Sequence, residues 1–204
     1  MQLLSMDQSA GSELAAAFEL LAMAAGEPRL ILLVTLLAFA AWSDVRSYRI
    51  PNWLSLGGTA TALLFAFLLP ATFGITLQQG LFGMVAALLV MLPLYALRAM
   101  GAGDAKLMAM VGTFLGPLET LYALLLTFAL AGLYALLYAA ARRSLSRMFV
   151  NVRDLAQTML LDAAFGKLRP APVALGQSVG RLPYAVCIGV ATIASLIARQ
   201  LGFL

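Results

Sequence analysis

The sequence predicts an all-α fold: a polytopic membrane helical bundle of about six transmembrane helices, with an interfacial helix near the N-terminus. Three observations carry that prediction. Of the 204 residues, 63% are hydrophobic and 11% charged, where a soluble domain has about 25% charged; the mean hydropathy is +0.95. Apolar runs approaching the ~20 residues that cross a hydrocarbon core about 30 Å thick recur between short polar segments. The basic residues gather in alternate segments. Polar groups are too few to cover a water-facing surface, so a soluble globular fold is excluded.

Taken in order, residues 1–29 read as an interfacial tail. Its helix-prone stretch, 12–25, is interrupted by Glu13 and Glu19 and ended by Gly26 and Pro28. It lacks the basic start and small-residue cleavage site of a secretory signal. Spans are then expected at 30–43, continuing past Asp44, and at 53–69, stopped by Pro70. A third covers 75–97, with Pro93 as a kink near its end. The fourth, 105–115, is too short to cross alone unless the bilayer thins or it begins at Gly101. The fifth and sixth cover 118–141 and 183–198.

Between the last two lies the sizeable polar region, 142–182. Within it, Phe149, Val152, Leu155, Met159 and Ala163 recur at helical spacing, with Arg153 and Asp154 among the polar positions. This segment is either an amphipathic helix along the interface or a plain connector. With no internal repeat, residues 30–204 read as a single domain.

Six spans place 44–52, 98–106 and 142–182 on one side of the membrane. That side holds eleven of the thirteen Lys and Arg residues, leaving only Arg29 and Arg199 opposite. The positive-inside rule makes the basic side cytoplasmic. A net charge of +4 is therefore topology information, and nucleic acid is not an expected partner.

Histidine is absent and Cys187 is the single cysteine. Ser-His-Asp and Cys-His catalysis, histidine metal sites and an internal disulfide are excluded together. An enzyme of this composition must work with carboxylates, lysine or backbone groups.

Charges near a membrane core are costly, about 2.5–3.5 kcal/mol at a helix centre. Asp7, Glu13, Glu19 and Glu27 belong to the N-terminal tail, Asp154 and Asp162 to a polar face, and Glu119 to a short loop. Asp44 and Asp104 remain, sixty residues apart in sequence and expected at the same cytoplasmic mouth of the bundle. Alone, each has a plain structural reading. Asp44 would be a helix-end charge paired with Arg46 or Lys106, and Asp104 an N-cap of the fourth helix. Together they suggest more. Two close carboxylates cannot both ionise cheaply, so the pair holds one proton between them. The ionised acid takes a proton from water, which attacks a peptide carbonyl, while the protonated acid polarises that carbonyl.

The stretches SDVRSYRIPNWLSL (43–56), GAGDAKLMAMVG (101–112) and RLPYAVCIG (181–189) resemble type IV prepilin peptidases, membrane aspartic proteases of the GxGD type. The resemblance covers about residues 30–200. It implies that Asp44 and Asp104 are the catalytic acids, with no metal and no cofactor. It implies removal of a short basic leader from prepilin and pseudopilin precursors at the cytoplasmic face of a bacterial inner membrane. Gly101 and Gly103 would let the substrate backbone approach Asp104. Arg46, Arg49, Ile50, Pro51 and Asn52 would shape the mouth or hold the topology. Lys106 would either bias the acid pair or anchor to headgroups, and Pro183 and Tyr184 would either line the site or simply start the last helix. The partners implied are the precursors, membrane lipid, and a second copy of the chain or a pilus assembly machine. Without paired CxxC motifs the chain resembles the short peptidase-only branch of tight-adherence (Flp-type) pili, with no methyltransferase activity. The rival functions for this composition are a small transporter with acidic ion sites and a non-catalytic assembly component.

Overall fold

In the computed structural model, residues 27–47, 49–70, 74–96, 100–141 and 184–202 are described, with the single positions 150, 153 and 157. Among them are six helices and no strand: α1 (Pro28–Ser47), α2 (Asn52–Leu68), α3 (Leu77–Ala96), α4 (Ala102–Leu115), α5 (Pro117–Ala141) and α6 (Tyr184–Gln200). Each expected span has become one helix. The 12–25 helix, Pro183 and most of 142–182 lie outside the described residues; Val150, Arg153 and Gln157 are helical and exposed.

The outer surface is what a lipid environment requires. Large apolar side chains such as Ile31, Phe67, Leu89, Leu125, Leu137 and Val190 are exposed on every helix except α4. Helices α1, α3 and most of α5 are long and apolar enough to cross a membrane; α2 and α6 are apolar but shorter. The architecture is a helical membrane bundle. Helical Ser and Thr hydroxyls return to backbone carbonyls, four residues back at Thr59, Thr113, Thr127 and Thr192, so these polar groups need no water.

Helix α4 is the core. All ten residues of the α4 stretch 105–115 other than Lys106 are buried, and the other five helices pack around it. Leu33 and Leu37 of α1, Leu54 of α2, Met91 of α3, Leu124 of α5 and Ile188 of α6 join Met108, Met110, Val111 and Phe114 of α4 in one cluster. Its 14 residues make about 21 Å at ~1.5 Å per residue. A helix enclosed by protein need not reach both interfaces, which resolves why the fourth span looked short. Its closest approach is to α3, at Gly83 and Gly112. A Cβ at either position would fall inside the other's carbonyl, so only glycine allows that crossing.

The two ends expected from the charge pattern are both present. At one, Arg29 reaches Glu27 and the Gly74 carbonyl, Ile75 lies against Gly116, and Arg199 pairs with Glu119. At the other, residues 43–52 meet the starts of α4 and α6.

Candidate active site

The site is built at the second end, from three chain segments. Asp44 lies in the last turn of α1, on the same inward face as Leu33, Leu37 and Ala40, and is 6% exposed. Its Oδ2 accepts the backbone N–H of Ala185 at 3.0 Å, across 141 residues of sequence. That N–H belongs to the first turn of α6, where backbone donors have no partner within the helix. Asp44 thus caps a helix it does not belong to. No ion pair joins it to Arg46 or Lys106 among the described residues, which corrects the helix-end pairing expected for it.

Asp104 is half-buried in the first turn of α4. It is not the N-cap that a lone-residue reading suggests. That position is Gly101, whose N–H donates to Asp104 Oδ2 at 3.2 Å. A carboxylate three residues into a helix commonly reaches back to the cap N–H; glycine has no side chain to return the bond. Neither glycine is needed for a left-handed backbone. Gly101 has an ordinary extended conformation, φ −78° and ψ 151°, and the described glycines with positive φ are Gly74, Gly116 and Gly202. At Gly103 a Cβ would meet the Ile50 side chain at 3.4 Å, an ordinary van der Waals contact, so local packing does not demand glycine there either.

The charge on Asp44 acts on Asp104, the charge on Asp104 acts on the Tyr184 phenol, and that on Asp44 acts on the Cys187 thiol. The fold therefore brings the two acids of α1 and α4 within electrostatic reach of each other, with the start of α6 as a third wall. Among the described residues, no three His, Cys, Asp or Glu side chains come together to hold a metal ion.

The remaining candidates form a frame around the acids. Ser43 Oγ donates to the Arg49 carbonyl at 2.8 Å, folding the α1–α2 turn back on α1. Pro51 occupies the N-cap of α2 with ψ 133°. Lys106 Nζ donates to Asn52 Oδ1 at 3.0 Å and ties α4 to the start of α2. Arg46 lies over the Trp42 ring, 5.9 Å from its centroid, a cation–π arrangement, and Arg49 is exposed. An open groove of about 700 Å³, lined by Ala38, Ala41, Trp42, Val45 and Arg46, runs along the outer side of α1. Sequence reasoning missed the Ala185 amide, since a backbone donor leaves no residue-type signal. The Trp42–Arg46 contact was legible from its four-residue spacing.

The fold and site define a class: a helical membrane protein whose candidate site is a pair of acids from distant helices. The type IV leader peptidase family model matches residues 31–136, more than half of the chain, and includes both acids. The chain belongs to that family and is a type IV leader peptidase-like protease. No curated protein and no solved structure matches it.

Proposed function

We propose that this protein is an aspartic endopeptidase that removes the short basic leader of prepilin-like and pseudopilin precursors. Asp44 and Asp104 are its acid pair, and residues 30–204 form the peptidase domain. One observation carries the reading: acids sixty residues apart arrive at one end of the bundle, Asp44 bonded to the first turn of α6 and Asp104 in the first turn of α4, which Lys106 ties to the start of α2. That end also holds Arg46, Arg49 and Lys106, which supports a cytoplasmic site in a bacterial inner membrane.

In the reaction, the ionised acid takes a proton from water as the water oxygen bonds to the scissile carbonyl carbon. The carbonyl π pair moves to its oxygen, which receives the proton of the other acid. The tetrahedral diol then collapses. The newly protonated acid gives its proton to the departing nitrogen, the other acid takes one from a diol hydroxyl, and the C–N bond breaks. The acid pair is left holding one proton, as it began.

Co-expression with a pilin precursor tests this by the mobility shift that accompanies leader removal. Asp44→Asn and Asp104→Asn are each expected to leave the precursor full length. Normal processing by either variant overturns the reading.

A further inference from the structure

The family match ends at residue 136, yet the third wall of the site begins at Tyr184. Ala185 is fixed to Asp44 by its N–H bond at 3.0 Å, so its neighbour Tyr184 is held at the acid end. The charge of Asp104 acts on the Tyr184 phenol, and the ring is half-buried. The residue beside the partner of one acid thus carries a hydroxyl within electrostatic reach of the other. Both candidate acids already hold a backbone N–H on one oxygen, Ala185 on Asp44 and Gly101 on Asp104. The protonated acid supplies the carbonyl oxygen with one donor; a second, neutral donor would hold that oxygen while negative charge gathers on it and the proton is still in transit.

We propose that Tyr184 is a catalytic residue whose phenol O–H donates a hydrogen bond to the scissile carbonyl oxygen during water attack. This rests on the acid-pair reading above. The phenol keeps its proton throughout: the π pair moves to the carbonyl oxygen, the water proton goes to the ionised acid, and Tyr184 stabilises the charge until the second acid protonates it. A donor placed where charge develops acts mainly on kcat.

The test uses the purified full chain in nanodiscs and a prepilin leader peptide spanning the cleavage site. Tyr184→Phe keeps the ring and removes the donor. It is expected to lower kcat about 100-fold, with KM within about twofold and the unfolding temperature unchanged. Tyr184→3,5-difluorotyrosine keeps both ring and hydroxyl but makes the phenol more acidic. It is expected to hold most of kcat on the acidic side of the pH optimum, where its hydroxyl keeps the proton it donates. A wild-type kcat in Tyr184→Phe overturns the proposal, as does a change confined to KM. Should Tyr184→Phe fail to fold, a wild-type kcat in Tyr184→O-methyltyrosine, which keeps the ring and the oxygen but has no hydrogen to donate, overturns it equally. Asp44→Asn and Asp104→Asn run alongside. Cleavage by either removes the acid-pair reading itself, whereas inactive acid variants beside a fully active Tyr184→Phe remove only the role of the tyrosine.

Discussion

Replacing Asp44 in two ways separates its chemistry from its architecture. Its carboxyl is buried and holds the Ala185 N–H. Asparagine keeps an acceptor oxygen in that place, so α6 stays capped and the bundle is expected to unfold within about 1 kcal/mol of the parent protein. Alanine removes the acceptor and leaves an amide N–H unsatisfied away from water, which costs about 1–3 kcal/mol. For a chain of this size that is a fall of roughly 2–12 °C in Tm.

Activity is expected to follow the other grouping. Neither asparagine nor alanine can take a proton from water, so both variants lose acid–base catalysis, about 10³-fold within the range general acid–base groups supply. Tm would come from thermal unfolding in a fixed detergent and rate from leader removal on the same preparations. The expected pattern is two dead proteins of which only one is destabilised. An active Asp44→Asn refutes the catalytic role, and an Asp44→Ala that melts like its parent refutes the cap.

Three further outcomes follow from the same geometry. Gly83→Ala and Gly112→Ala each force α3 and α4 apart and should cost about 1–3 kcal/mol by thermal unfolding, while Gly57→Ala, with nothing within 4 Å of the new Cβ, should be neutral or slightly stabilising. Lys106→Met and Asn52→Leu should each change stability by less than about 1 kcal/mol, because their bond is exposed, and a double-mutant cycle should show coupling of the same small size. Leader cleavage should have a bell-shaped pH dependence: at low pH both acids hold protons and no base remains, and at high pH both are ionised and no acid remains. A rate that only rises or only falls across both limbs would contradict a shared proton.

Much of this architecture is legible in the sequence because lipid imposes it. The span expected at 53–69 is the helix Asn52–Leu68 and that at 118–141 is Pro117–Ala141, since an apolar run between polar breaks is both the membrane signal and the helix. The grouping of 44–52 with 98–106 followed from counting crossings, and the Lys106–Asn52 bond agrees with it. What hydropathy does not carry is contact between helices. The bond from the Ala185 amide to Asp44 depends on a backbone donor, which any residue but proline would supply. Asp104 looked like a cap because acids favour helix starts, and the choice between N-cap and the third helical position turns on one backbone conformation at Gly101.

The fourth span resisted reading for a reason that bears on function. A hydropathy window assumes that a membrane helix faces lipid, whereas α4 faces protein on every side and reveals itself by small residues and by Gly83 meeting Gly112. At about 21 Å it falls short of a core of about 30 Å, and its far end is fixed where Gly116 lies against Ile75 and Gln79. The shortfall therefore accumulates at the end that carries Asp104. An acid on a lipid-facing helix would have to reach the headgroups to be hydrated. On a short central helix it lies inside a ring of longer ones, half-buried at the end where Asp44 meets the start of α6, where a carboxyl can take up and release a proton without facing lipid.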